Sequence, residues 1–401
     1  MIKNSFIYLI AEILNKAIPF LLLPIITKYL TPSEYGIYGI YQVLLSFLSP
    51  FIRMSLDVHI TRNFFKVSKK KLKEILNSII LLLHLHVLIG LIVIFFLSLF
   101  FNDILGIPSK YLFLIPIIIY AQMINLFNLT ILRNEEKALK YGMLQIIITL
   151  FNFGSVIIFL IYLKLGWLSL IYGLLVGQFV MFFYSFYFLK KEFNLDFKSF
   201  YPFKEIYRIS VPLIFHLLGG SIIFLSDRVF IQQMLGLKEV GLYSIGNQFG
   251  MITMIVINSV ILAINPWMYK KLAKKENIKK EIFLFMFLFL IIGLLVWIGS
   301  LIIFTYMVDS SYILAKSIIF WISLAFIFRG WYQLYYNVVL EAGKTNIFMY
   351  ITFGAGIINL ILNYFLIKLN GMVGAAQATM LAFSLMFIGS FLYIKRGINE
   401  K

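Results

Sequence analysis

The chain has 401 residues, 62% hydrophobic and only 13% charged, against roughly 25% charged in a soluble domain. Its 35 Lys and Arg outnumber 17 Asp and Glu for a net charge of +18, but the excess sits in connectors between long apolar runs, which reads as orienting, lipid-facing charge and not as a nucleic-acid footprint. The absence of cysteine excludes disulfides and thiolate metal sites, and the apolar runs are too long and too little alternating for a membrane β-barrel.

Many of the runs approach the ~20 residues that cross a bilayer as a helix. Twelve such helices are expected, over 3–29, 36–62, 75–101, 110–132, 141–163, 167–189, 206–234, 242–268, 282–307, 312–340, 346–368 and 372–394. The first is a membrane helix and not a cleavable signal, because Glu12, Asn15 and Lys16 interrupt its apolar run and no small-residue cleavage site follows. Glu12 and Lys16 are four apart and can pair on one face, and Pro19 and Pro24 bend the helix beyond them.

The second helix opens with the stretch KYLTPSEYGIYGIYQ, residues 28–42, in which Thr31-Pro32-Ser33-Glu34 supplies turn and capping chemistry. Gly36 and Gly39 let it start close against a neighbour. Along it, Gln42, Ser46, Ser49, Arg53 and Asp57 recur at steps of three and four, a polar stripe on one helical face. His84 and His86, two apart on the third helix, point to different faces and cannot chelate one metal together. The longest polar connector, Lys190 to Glu205, is the natural linker between two halves, 1–196 and 197–401.

The seventh helix carries His216, Gly220 and Asp227 on one face. Arg228 points about 100° away from Asp227, so the two are not expected to be simple partners. The stretch after it, MLGLKEVGLYSIGN at 234–247, matches the second helix at an offset of 205 residues, with Glu34, Gly36, Tyr38 and Gln42 meeting Glu239, Gly241, Tyr243 and Asn247. Asn258 and Asn265 continue the polar face that Asn247 begins, as Arg53 continues that of Gln42. An offset of half the chain, with an even number of helices per half, implies two six-helix bundles related as a parallel repeat around a central cavity. The tenth helix carries Arg329, Gln333 and Asn337 at steps of four, within the aromatic group Trp331, Tyr332, Tyr335 and Tyr336.

With the N-terminus inside, 25 of the 35 Lys and Arg fall in inner segments and six in outer ones, so both termini are expected to be cytoplasmic. There is no P-loop, no GxGxxG motif and no loop large enough for a soluble catalytic domain, which argues against an ATP motor or a membrane enzyme. No His, Asp or Glu cluster has metal spacing, and no cofactor is expected. The chemistry therefore lies in charges where charges are costly: Glu12, Lys16, Arg53, Asp57, Asp227, Arg228 and Arg329, each at least ~2.5–3.5 kcal/mol at the bilayer centre. Their heights differ, as a path for a moving anion would require, and the polar positions Gln42, Asn247, Asn258 and Gln333 are candidates for its lining.

Several stretches then carry a resemblance: ITKYLTPSEYGIYGIYQ (26–42), LGLKEVGLYSIGNQ (235–248), NPW at 265–267, EAGKT (341–345) and INLILNYFLIKLNGMVGAAQATMLAFS (358–384). In these the chain resembles the polysaccharide transporter family, the O-antigen flippases, within the superfamily that also holds multidrug extruders and lipid II flippases. The resemblance implies a cationic central cavity, with Lys16, Arg53, Arg228 and Arg329 as the residues that fit its lining. It also implies transport of undecaprenyl-diphosphate-linked oligosaccharide, an O-antigen or other surface polysaccharide repeat unit, across the cytoplasmic membrane from inner to outer leaflet. The implied partners are that lipid-linked substrate, the membrane lipids, a polysaccharide polymerase and a chain-length regulator. Glu12, Asp57 and Asp227 are candidates for coupling to a proton or cation gradient or for charge pairing. The alternative reading is a cation-coupled multidrug extruder of the same superfamily.

Overall fold

The computed structural model of the protein describes residues 18–274, 276–341 and 346–399; Glu12 and Lys16, and the side chain of His216, lie outside what is described. The chain is helical almost throughout. In order it runs through α1 (Leu23–Tyr29), α2 (Pro32–Arg53), α3 (Asp57–Asn63), α4 (Lys69–Phe100), a hairpin of β1 (Asp103–Ile104) and β2 (Ile107–Pro108), α5 (Ser109–Leu112), α6 (Leu114–Asn134), α7 (Ala138–Ile157) and α8 (Leu168–Phe193). It continues through α9 (Phe203–Met234), α10 (Leu237–Ala273), α11 (Lys279–Met307), α12 (Lys316–Glu341) and α13 (Asn346–Asn399).

Among the described residues nine helical segments are long and apolar enough to cross a membrane. The last of them is double. α13 has 54 residues, ~81 Å if straight, and is broken at Gly371. Its φ of 58° there is one that a residue with a side chain adopts only under strain. α9, at 32 residues, is also long enough to span. The surface reverses the soluble pattern: Leu88, Ile89, Phe96 and Phe100 of α4 and Phe283, Leu284 and Leu295 of α11 are exposed. Only 28% and 17% of the apolar windows of these two helices are buried, which suits lipid contact.

Two compact units make up the chain, residues 1–30 with 40–221 and residues 31–39 with 222–401. The chain passes from the first to the second just before α2, returns within α2 and passes over again within α9. In the first unit α6 is the most enclosed helix, with Ile115, Ile118, Ile119, Ile124, Phe127 and Ile131 buried. In the second, Ile257, Ile261, Phe289, Ile327 and Leu334 form an apolar core among α10, α11 and α12.

The start of α2 is built as its sequence dictates. Thr31 Oγ1 accepts from the Glu34 amide at 3.3 Å, while Glu34 Oε2 accepts from the Thr31 amide at 3.0 Å, a reciprocal capping box. The other end departs from expectation. The continuous helix expected over 36–62 stops at Arg53, because Met54 and Ser55 adopt left-handed φ values of 45° and 51°, and the chain restarts as α3 at Asp57. The stripe from Gln42 to Asp57 is therefore cut between Arg53 and Asp57. Asp57 becomes a first-turn residue of α3, where the helix dipole favours a carboxylate.

The linker is packed, not loose. Lys73 on α4 pairs with Asp196 at 2.8 Å, Asn77 Nδ2 donates to the Ser199 carbonyl at 2.9 Å, and Ser78 Oγ exchanges hydrogen bonds with the Tyr201 amide and carbonyl at 2.7 and 2.9 Å. Hydrogen bonds from Lys73, the Lys198 amide and Asn77 draw the Asp196 carboxyl down to about 2. Its folded value thus lies below its unfolded value of ~3.9, so its contribution to docking is complete above roughly pH 4 and is lost as pH falls through about 2. The protection factor of the Tyr201 amide, its exchange relative to an unfolded peptide at the same pH, is expected to fall on acidification from pH 4 to 2. Asp196→Asn is expected to flatten that dependence.

Candidate functional site

In the first unit, the end of α2 brings Arg53 to a cavity of ≈ 280 Å³ lined also by Gln122 and Asn125 of α6, Gln145 and Thr149 of α7, and Gln178 of α8. Leu126, Leu129 and Ile148 supply its apolar wall. Asn125 Nδ2 donates to the Gln178 side-chain oxygen at 3.0 Å and to its carbonyl at 2.9 Å, joining α6 to α8. Asn125 Oδ1 is buried with no hydrogen-bond partner. One turn further along α6, Asn128 donates to Ser185 Oγ at 3.2 Å. No carboxylate lies within 4.0 Å of the Arg53 guanidinium among the described residues, so Arg53 and Asp57, the last two members of the stripe, form no close ion pair. The break at Met54 and Ser55 accounts for this, since it removes the i,i+4 geometry that would bring the two together. Gln42 is half-buried on the same helix.

In the second unit, Asp227 on α9 is buried, and Tyr243 of α10 donates its hydroxyl to Asp227 Oδ2. The Arg228 amide donates to Asp227 Oδ1 at 2.8 Å, and the Arg228 guanidinium turns back to 3.7 Å from the same oxygen. The separation by 100° along the helix is thus overcome by the length of the arginine side chain. Arg228 Nε also donates to Ser244 Oγ at 3.3 Å, and its guanidinium lies 5.8 Å from the Tyr243 ring centre, within cation–π range. Tyr243 stands 205 residues beyond Tyr38, so the repeat itself delivers the hydroxyl that holds the buried acid.

The polar faces of α10 and α12 meet. Asn337 Nδ2 donates to Asn265 Oδ1 at 2.7 Å, and Tyr269 donates to Asn337 Oδ1 at 3.0 Å. Asn247 and Asn258 of α10 are half-buried, as are Arg329 and Gln333 of α12, and Gln333 Oε1 has no hydrogen-bond partner. The aromatic group on α12 divides in two. Trp331 and Tyr335 pack on Phe387 of α13, so they serve the core, while the Tyr332 and Tyr336 rings meet at 6.0 Å, tilted by 53°. On α13, Asn363 donates to Asn359 at 3.2 Å in full burial, leaving Asn359 Nδ2 and Asn363 Oδ1 without partners.

Gln122, Asn125, Gln145, Thr149 and Gln178 escaped the sequence reading. Their signal was weak but present, Gln122, Asn125 and Asn128 recurring every third residue within an apolar helix and Gln145 and Thr149 four apart.

The family model described as "Polysaccharide biosynthesis protein" matches residues 1–272. The chain belongs to the polysaccharide biosynthesis protein family. A second model, MatE, matches residues 212–365 of this family member. Two relatives from Haemophilus influenzae are similar along most of their length. "Lsg locus putative protein 1" is 26% identical over 314 residues, 74% of either chain, and an "Uncharacterized membrane protein" is 27% identical over 287 residues, 70% of this chain and 67% of that one. Among solved structures, an inward-facing multidrug resistance MATE transporter of the MOP superfamily aligns with a TM-score of 0.75 at 14% identity over 95% of both chains. The lipid II flippase MurJ in an inward closed conformation aligns at 0.74 and 16% identity over 98% of this chain and 88% of that one. At such identities the likeness establishes the fold: this polysaccharide biosynthesis protein is an all-helical, multi-pass membrane protein built like a transporter of that superfamily.

Proposed function

We propose that the protein is a flippase that moves polyprenyl-diphosphate-linked oligosaccharide from the inner to the outer leaflet of the cytoplasmic membrane by alternating access, with both termini cytoplasmic and no enzymatic step. The observation that carries this reading is Arg53, a membrane cation beside a polar cavity, with no carboxylate within 4.0 Å of it among the described residues. Such a cation offsets the cost of bringing a diphosphate into a low-dielectric space. Arg228 and Arg329 are proposed as further contacts along the path, and Lys16 with them. The prenyl tail stays in lipid, as the apolar surfaces of α4 and α11 permit.

The second unit supports a coupling role for Asp227. Its charge is held by Tyr243 and the nearby Arg228 guanidinium. An anionic substrate that draws the Arg228 guanidinium away leaves the buried carboxylate with hydrogen-bond donors but no counter-charge, and a proton or metal cation then takes the guanidinium's place. Anion and cation occupancy are linked through one side chain.

The test is reconstitution in proteoliposomes with a fluorescent undecaprenyl-diphosphate-linked oligosaccharide, following access of the sugar to an external lectin. Wild type is expected to expose the sugar well above the protein-free rate, and Arg53→Gln to slow that at least tenfold. No acceleration by wild type overturns the flippase reading. The MatE match over 212–365 favours cation-coupled drug export as the second reading. Drug efflux with no sugar translocation in the same vesicles would establish it.

A further inference from the structure

The cavity of the first unit has a composition of its own. Its polar lining holds one cation, Arg53, four carboxamides, Gln122, Asn125, Gln145 and Gln178, and one hydroxyl, Thr149, with no acid. Carboxamides both donate and accept, so a ring of them matches a ligand whose own groups do both, as sugar hydroxyls do. Asn125 is only 2% exposed, and its Oδ1 is a buried acceptor with no partner. A buried unsatisfied acceptor carries a penalty of ~1–3 kcal/mol, which a ligand hydroxyl relieves once the Asn125 carboxamide turns toward the cavity. Leu126 and Ile148 offer an apolar wall for the C–H face of a ring. At ≈ 280 Å³ the cavity lies just under the ~300–1,000 Å³ of drug-sized pockets, room for one ring and not for a chain of them.

We infer that this cavity is a subsite for a single sugar ring bearing a phosphate, the carboxamides reading the hydroxyls and Arg53 taking the phosphate oxygens. The inference rests on the flippase reading for its biological ligand and deepens it: the ring nearest the diphosphate lodges inside the first unit, and the remaining sugars lie outside this cavity. The absence of acid from the lining sets the site against organic cations.

The experiment measures equilibrium binding to the purified full-length protein of three soluble probes at matched ionic strength: a hexose 1-phosphate, the free hexose, and inorganic phosphate. The sugar phosphate is expected to bind at least tenfold more tightly than either fragment. Arg53→Gln is expected to lower its affinity to that of the free hexose while leaving the free hexose unchanged. Thr149→Val, which keeps the volume of the side chain, is expected to weaken both sugar-bearing probes and not phosphate. No saturable binding of the sugar phosphate, or binding that Arg53→Gln leaves intact, overturns the subsite. The two readings fail separately. Transport of the intact lipid-linked oligosaccharide at an unaltered rate by a Gln145→Leu, Thr149→Val double variant removes the subsite and leaves the flippase standing. Sugar phosphate binding by a wild-type protein that moves no lipid-linked sugar does the reverse.

Discussion

Substituting alanine at Gly36 is expected to destabilise the second unit by about 3 kcal/mol, and substituting alanine at Gly241 by a similar amount. A Cβ on Gly36 would lie 2.8 Å from the carbonyl carbon of Leu237 and 3.1 Å from the Gly241 nitrogen. A Cβ on Gly241 would lie 2.8 Å from the carbonyl carbon of Pro32 and 3.0 Å from the Gly36 nitrogen. The obstacles are backbone atoms, which cannot rotate out of the way as a side chain can, so the first turns of α2 and α10 must move apart. Once one substitution has separated them, the second has less left to clash with. The double variant should therefore cost less than the sum of the singles, with a coupling of about 1–2 kcal/mol. Thermal unfolding of the four proteins in one detergent measures this. Additive losses would mean that the two glycines do not meet.

The second large effect is expected at Asp227. Asp227→Leu removes the carboxylate to which Tyr243 donates and which lies 3.7 Å from the Arg228 guanidinium, and removing one partner of a buried pair costs about 3 kcal/mol or more. Asp227→Asn keeps an acceptor for Tyr243 and should cost about half as much. The Asp227→Leu, Arg228→Leu double variant should recover part of the loss, because it also removes the guanidinium that faced the carboxylate. In vesicles, Asp227→Asn is expected to abolish the response of sugar translocation to an imposed proton or sodium gradient. A response equal to that of wild type would sink the coupling role. The stability series would still stand, since it tests the pair and not the transport cycle.

What could be read from the amino-acid order was local or periodic. The Thr31–Glu34 capping box needs only four residues in a row, and its hydrogen bonds are formed as the motif requires. The 205-residue echo matches Gly36 to Gly241 without saying that they touch, since equivalent positions of a repeat meet only where they lie on the axis that relates the copies. The break at Met54 and Ser55 was not legible, because neither residue favours a left-handed conformation and Pro50 lies a full turn earlier. Nor was the cavity beside Arg53, since its polar residues come from four helices whose mutual rotation no single stretch encodes. The Asp227–Arg228 contact escaped for another reason. Helical spacing locates Cβ atoms, and a guanidinium four bonds further out can return across 100° of arc.

The crossing of α2 and α10 has the form of an isologous interface. Residue 36 meets 237 and 241, and residue 241 meets 32 and 36, so the contact maps onto itself when 205 is added to one side and subtracted from the other. An isologous contact links its two sides, so a change on either one is felt on the other. A Thr-Pro entry on one helix faces a Gly-Leu entry on the other, and neither glycine can accept a side chain while its counterpart stays in place.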